Sequence, residues 1–193
     1  MHRITHATSI YPRGEHPLGC DHRAGARVIE FGMADSGRER VVTDALARGL
    51  EIDVVERPAA DSLESAARLL GIEPSGIVKS LVVKRHDGDY IFVLVPGDRQ
   101  ISWAKLRALV GVNKLSLPHE DLALAATGYS RGTITPLGSS TAWPVFADER
   151  MRGTRVAMGA GEQGYSAFVD ADALIAAYGA TVADITDALK PRS

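Results

Sequence analysis

Little in this chain is available for covalent cross-linking. It holds one cysteine, Cys20, among 193 residues, so no disulfide can form within it. A reducing, cytoplasmic setting suits that usage. No apolar run approaches the roughly 20 residues that a membrane-spanning helix needs. Neither sign of charge dominates: the formal charge is −2, which excludes the strongly basic class that holds nucleic acid tightly and without sequence preference. Any contact with nucleic acid is therefore expected to be local and transient. Common catalytic signatures are missing too. There is no H-E-x-x-H helix and no P-loop. What is present is an ordinary globular balance, 45% hydrophobic and 24% charged, in a length that buries a core without disulfide or metal.

The first 32 residues differ from the rest. They contain Cys20 and four of the six histidines and carry no sustained helical or strand period. Cys20, His22 and His16 invite a zinc reading, but their spacing matches no zinc signature, so no metal is expected. Residues 1–32 are read as a poorly ordered extension. The working protein is expected to begin near Met33, with 33–193 forming one domain.

Beyond Met33, helical and strand periods alternate. Val42, Ala45, Leu46 and Leu50 predict a helix over 38–50, stopped near Gly49. EIDVVER (51–57) reads as a strand. Asp61 and Glu64 form a D-x-x-E box before a helix that carries Leu63, Ala66, Leu69 and Leu70 and ends at Gly71. Two apolar runs, 77–84 and 90–95, flank an Asp87-Gly88 pair and predict a hairpin. Ser102 is placed to cap a helix over 103–110, with Ile101 and Leu106 as its hydrophobic staple. A strand over 112–117 and a helix over 119–127 follow. Strands are expected at 143–148, 155–160 and 165–170, then a helix over 171–179 capped by Asp170. The pattern predicts an α+β fold: a mixed, largely antiparallel, curved sheet flanked by helices.

Three features bear on chemistry. GAGEQG (159–164) has the form G-x-G-x-x-G, but a strand follows it where a dinucleotide site needs a helix start, so it reads as a hairpin turn. Lys79 interrupts the apolar run IVKSLVV; its ammonium must reach water or an anion. The stretch GYSRGTITPLG (128–138) combines three glycines with Pro136, a composition that stiffens a loop and lets its backbone approach a ligand. Taken alone, an outward-facing strand lysine and a plain connecting loop account for the last two.

In this order, however, the apolar strand with an internal lysine and the G-Y-x-x-G-x-x-x-P-x-G loop resemble the YbaK/prolyl-tRNA-synthetase-associated editing domain family. The resemblance runs from about Arg57 to Ile185 and includes LVPGDR, WAKLRALVG, PVFAD and DADALIAAYGATVADI. It implies the fold of that family and the hydrolysis of the ester that joins a wrong amino acid to the terminal ribose of tRNA. The amino acids implied are small (alanine, cysteine, serine or threonine), with tRNA for proline as a candidate carrier. It also implies an enzyme without cofactor, using the substrate's own ribose hydroxyl in place of a side-chain base. The implied partner is the aminoacylated 3′ end of tRNA, with an aminoacyl-tRNA synthetase as a further candidate.

Carried over by residue, Lys79 and the Gly132 backbone are the catalytic candidates. Ser80, Thr133, Pro136, Gly138 and Ser166 are the substrate-binding ones. Asp148 matches an acidic position that also suits a turn cap. Arg131, Arg99, Lys105 and Lys114 are candidate phosphate contacts, each equally a solvated charge. Thr133 stands where many members have a second glycine, and its side chain is expected to narrow the pocket or change its polarity. That departure also admits the alternative of a non-catalytic relative that binds tRNA ends or a synthetase.

Overall fold

The structure is a computed structural model and describes residues 36–85 and 89–189. The 1–32 extension, its zinc candidates, the start at Met33 and the Asp87-Gly88 turn lie outside the described residues.

In chain order the elements are α1 (Gly37–Ala47), β1 (Ile52–Glu56), α2 (Leu63–Leu70), β2 (Val78–Arg85), β3 (Tyr90–Pro96), β4 (Arg99–Ile101), α3 (Trp103–Val110), β5 (Leu115–Ser116) and α4 (Glu120–Thr127). There follow β6 (Val145–Asp148), β7 (Arg155–Gly159), β8 (Tyr165–Asp170), α5 (Ala171–Tyr178), β9 (Thr181–Ala183) and β10 (Thr186–Ala188). The strands form a five-stranded sheet in the order β5-β2-β3-β6-β9, a three-stranded sheet β1-β8-β7 and a short β10-β4 pair. Among the strand pairs of the described residues, β3–β6 and β6–β9 are parallel and the others antiparallel, so the expected mixed, largely antiparallel α+β architecture is what the chain adopts. A single bridge, Ile77 to Ala157, links the two larger sheets.

Strand alternation explains why β3 is buried throughout. Phe92 and Leu94 face one core, with Val78, Val82, Val156, Met158, Leu137 and Leu174. Ile91, Val93 and Val95 face a second core with Leu106, Leu115 and Ile185. Each such side chain, fully buried, contributes on the order of 1.5–3 kcal/mol.

Local signals hold in part. Asp170 caps α5 through the Ala173 N–H at 2.8 Å. Gly71, Gly111, Gly128 and Gly179 end their helices in the left-handed conformation. In α1 the buried row is Val41 and Ala45, whereas Val42 and Leu46 face solvent. The neighbouring row, Arg40 and Asp44, is committed to a loop described below, and this rotates the helix away from the expected stripe. The cap of α2 is Ser62, whose hydroxyl accepts from Ser65 N–H at 3.1 Å; the helix starts one residue later than an Asp61 box requires. Ser102 stands at the start of α3 without a side-chain bond to its first turn. The strand expected over 112–117 shrinks to Leu115–Ser116, where β2 offers a partner only at Lys84 and Arg85.

Asp148 is fully buried at the end of β6. Its carboxylate accepts from Thr186 Oγ1 at 2.7 Å, Ile185 N–H at 3.3 Å and Arg150 N–H at 3.1 Å, and it pairs with the Arg150 guanidinium at 3.2 Å. It is thus a turn cap that ties β10 to the main sheet. Asp148→Ala is expected to lower unfolding stability by about 3 kcal/mol, measured by denaturant melts, because it strands the buried Thr186 hydroxyl and the Ile185 N–H.

Candidate functional site

A cavity of about 640 Å³ opens between the sheets, within the roughly 300–1,000 Å³ typical of small-molecule sites. One wall is the apolar stripe of α2, Leu63, Ala66 and Leu70. The floor is β2 from Val78 to Val82, and Ala157, Met158 and Gly159 close the far side. Arg131, Gly132 and Ile134 come from the 128–138 loop, and Arg57 and Ser166 from the β1–β8 edge. Of the sequence candidates, the fold brings Lys79, Ser80, Gly132, Ser166 and Arg131 to this one cavity. It does not bring Thr133, Pro136 or Gly138 to the wall.

The loop owes its shape to contacts that are distant in sequence. Gly128 ends α4 with φ 73° and Gly132 takes φ 88°, both conformations that favour glycine. Tyr129 is buried, and its hydroxyl donates to Leu137 O at 2.8 Å, closing the loop on itself. Burial, opposed by the nearby Arg40 charge, pushes that phenol up to about 12, so it remains a donor at neutral pH. From α1, the Arg40 guanidinium lies 4.3 Å above the Tyr129 ring. It donates to Gly128 O at 2.8 Å and Gly138 O at 3.3 Å, gripping both ends of the loop. Asp44 accepts from Gly138 N–H at 3.0 Å and from the Tyr178 hydroxyl at 2.6 Å, and it pairs with Arg48 at 3.0 Å. A Cβ on Gly138 would stand 2.5 Å from Arg40 O. Gly138 is therefore an anchor, not a ligand contact, and Pro136 is buried beside it.

The GAGEQG segment is the hairpin turn between β7 and β8, as its sequence predicts. It is also the surface on which the loop rests. Gly161 N–H donates to Thr133 O at 3.0 Å, and a Cβ on Gly159 would meet the Thr133 and Ile134 carbonyl oxygens at 2.7 Å. Thr133 is 2% exposed, and its hydroxyl donates to Ser130 O at 2.9 Å. It does not narrow the cavity; the extra side chain turns inward and closes the turn. Gly132, by contrast, is exposed at the cavity, and its N–H makes no hydrogen bond to another described residue.

Lys79 is half-buried, and its ammonium donates to Gly97 O at 3.1 Å and to Arg99 O. Two of three protons are thus held by the β3–β4 turn, leaving one for a ligand. Burial lowers its pKa from the ordinary lysine value, against the opposing pull of Asp98 and Glu64. Ser80 and Ser166 are buried. Ser166 Oγ accepts from Arg57 Nε at 3.0 Å, while Ser80 Oγ has no partner among the described residues. Arg99 is committed to Thr186 at 2.6 Å, and Lys105 to Asp184 at 2.9 Å and Asp187 at 3.3 Å. Arg131 and Lys114 are exposed, and of the two only Arg131 is on the cavity. Among the described residues no group of three or more His, Cys, Asp or Glu side chains is placed to hold a metal, and no helix is long and apolar enough to cross a membrane.

Sequence reasoning missed Arg40, Asp44 and Arg57. The only local trace of the first two is the i, i+4 row Arg40-Asp44-Arg48, the pattern of any solvated helix. Burial alone would raise the Asp44 pKa; the Tyr178 hydroxyl, the Gly138 N–H and Arg48 outweigh it, and the net shift is downward from 3.8. Between the folded value and 3.8 the unfolded chain binds more protons, so this carboxylate stabilises the fold above 3.8 and loses that contribution as pH falls through the folded value. The stability difference between the wild type and Asp44→Asn is expected to shrink over that acid range in pH-dependent melts. Arg40→Ala should cost about 2 kcal/mol at neutral pH, and Arg40→Lys should not recover it, because one ammonium cannot span both carbonyls.

The chain is similar to several known proteins. The family model "Aminoacyl-tRNA editing domain" matches residues 57–177. A proline–tRNA ligase of Thermosipho melanesiensis is 35% identical over 102 residues, 53% of this chain and 18% of that enzyme. The chain thus spans about a fifth of the length of the ligase it matches. The Enterococcus faecalis protein described as "Putative Cys-tRNA(Pro)/Cys-tRNA(Cys) deacylase EbsC" is 29% identical over 126 residues, 65% of this chain and 77% of that one. The crystal structure of "a putative trans-editing enzyme for prolyl tRNA synthetase" superposes with a TM-score of 0.73 at 30% identity, covering 80% of this chain and 99% of that one. The match spans the lysine strand, the glycine loop and most of α5, and on that evidence the chain belongs to the aminoacyl-tRNA editing domain family.

Proposed function

We propose that the protein is an aminoacyl-tRNA deacylase acting in trans, which hydrolyses the ester between a small, wrongly attached amino acid and the terminal ribose of tRNA. The observation that carries this reading is that Lys79, Ser80, Gly132 and Ser166, scattered over the chain, line one cavity. Similarity to a deacylase and to a trans-editing structure over most of their lengths supports it.

Among the described residues no histidine or cysteine lines the cavity, and its carboxylates, Asp61 and Glu120, are exposed. In this reading water is the nucleophile. Water adds to the ester carbonyl, the carbon–oxygen bond to the ribose breaks, and the ribose oxygen leaves with a proton. The neighbouring ribose hydroxyl orients the water and relays its proton. Charge builds on the carbonyl oxygen as water adds, and the Gly132 N–H, without a partner among the described residues, is the donor that would meet it. Lys79 offers its third ammonium proton to the aminoacyl group or the terminal phosphate. Arg131 at the mouth supplies a cation for the tRNA backbone. The ester is labile, so orientation and one or two fixed donors are enough.

Purified protein should release free amino acid from at least one tRNA charged with alanine, cysteine, serine or threonine. Binding to all four without release would instead support a non-catalytic carrier of tRNA ends. Lys79→Met, which keeps the apolar stem, should lower kcat/KM on the cleaved ester by about 10²-fold. An unchanged rate would remove Lys79 from the mechanism.

A further inference from the structure

We infer that Gln163 is a positioning residue: its side-chain amide holds the Arg131–Gly132 peptide in the orientation that turns the Gly132 N–H toward the cavity. The catalytic half of this role rests on the deacylase reading.

Residues 130–133 form a tight turn. Thr133 N–H donates to Ser130 O at 3.1 Å, and Thr133 Oγ1 donates to the same oxygen at 2.9 Å. Gly132, third of the four, has φ 88°. Arg131 before it carries a Cβ and disfavours positive φ. This combination is a type II turn, whose third residue sits at about +80°, whereas a type I turn needs about −90° there. The two types share the closing hydrogen bond and differ by a half-turn of the central peptide, here Arg131–Gly132. Glycine at the third position permits both. The bonds between Ser130 and Thr133 therefore leave the orientation of that peptide open, and a group outside the turn must choose it.

Gln163 makes the choice. Its Nε2 donates to Arg131 O at 3.1 Å. A trans peptide carries its C=O and N–H on opposite sides, so fixing the Arg131 oxygen fixes the Gly132 N–H the other way. Arg131 and Gly132 line the cavity, and Gln163 does not. The carbonyl is thus taken from behind the turn. The Gly132 N–H, which has no partner among the described residues, is left for the cavity. With the peptide flipped, the Arg131 oxygen would stand in place of the donor and repel the charge that builds on a reacting carbonyl oxygen.

The β7–β8 turn keeps Gln163 in place. On one side of it, Gly161 N–H donates to Thr133 O at 3.0 Å; on the other, Gly164 O accepts from Arg57 N–H at 2.8 Å. The turn is tied both to the loop and to the end of β1. Gln163 itself is exposed and belongs to neither core, so replacing it opens no void.

The test compares the full-length wild type with three variants. Gln163→Met keeps the length without a donor, Gln163→Glu offers only acceptors at neutral pH, and Gln163→Lys restores a donor. Single-turnover rates are read at saturating aminoacyl-tRNA, on an ester that the wild type cleaves. Effects of charge on tRNA binding then fall on KM and not on the rate. Amide NOE spectra of the same four proteins report the peptide. A type II turn brings Arg131 Hα close to the Gly132 amide proton; a type I turn brings the two amide protons together instead. Gln163→Met should lower the rate by about two- to fivefold, since one neutral hydrogen bond shifts the balance of the two turns by about fivefold. KM and the melting temperature should stay unchanged. Gln163→Glu should lower the rate further, and Gln163→Lys should recover most of the loss. The NOE pattern should move from type II toward type I in the same order. An unchanged rate in both Gln163→Met and Gln163→Glu overturns the inference, and so does a slower rate with the type II pattern intact. Cleavage of no ester by the wild type overturns the deacylase reading. The NOE pattern then decides the role of Gln163 alone, and type II in all four proteins overturns that as well.

Discussion

The site depends on one cation on α1. Arg40 holds the carbonyls of Gly128 and Gly138, the two ends of a loop that otherwise has few regular hydrogen bonds. Its plane covers Tyr129, which bonds across the loop to Leu137 O at 2.8 Å. Asp44, one turn along the same helix, takes the Gly138 N–H at 3.0 Å. Both hydrogen-bonding edges of the loop's exit are therefore spoken for by a helix outside the matched span of residues 57–177. Such a fixed loop can present an N–H to a reacting oxygen without reorganising, which is the property electrostatic catalysis requires.

The opposite side of the loop is held by closeness rather than by charge. Gly159 lets the β7–β8 turn press against the Thr133 and Ile134 backbone, where a Cβ would stand 2.7 Å away, and Gly161 donates its N–H to Thr133 O at 3.0 Å. The loop is thus clamped between α1 and a hairpin, with Gly132 left at the cavity. Lys79 lies on the β2 floor, where its bonds to Gly97 and Arg99 carbonyls tie β2 to the β3–β4 turn. The clamped loop and β2 then line one cavity, with buried Ser80 and Ser166 among its apolar residues. In the proposed reaction this arrangement stabilises charge and orders the substrate, and a labile ester asks for little more.

Much of this was legible in the sequence, because it was local. Strand alternation, glycine stops and the Asp170 cap are short-range signals, and the structure follows them. The lysine strand and the glycine–proline loop were legible only as a pair, through family resemblance. What escaped was set by contacts across the chain. Arg40 meets Gly138 over 98 residues of separation, and nothing beside Arg40 announces it. The same engagement turns Val42 and Leu46 outward, against the helical stripe. Thr133 looked like an intrusion into the pocket, because sequence gives a side chain's identity and not its direction; bonded to Ser130 O, it points away. Arg57 marks the end of β1, and its role appears only once β8 brings Ser166 beside it.

The central claim is that the backbone of the clamped loop, at Gly132, meets the carbonyl oxygen on which charge develops. A crystal structure of the protein with a non-hydrolysable, amide-linked aminoacyl adenosine tests it most directly. The account predicts the amide oxygen about 2.7–3.1 Å from Gly132 N. An amide oxygen out of hydrogen-bond reach of Gly132 N, or a ligand seated outside this cavity, would contradict it.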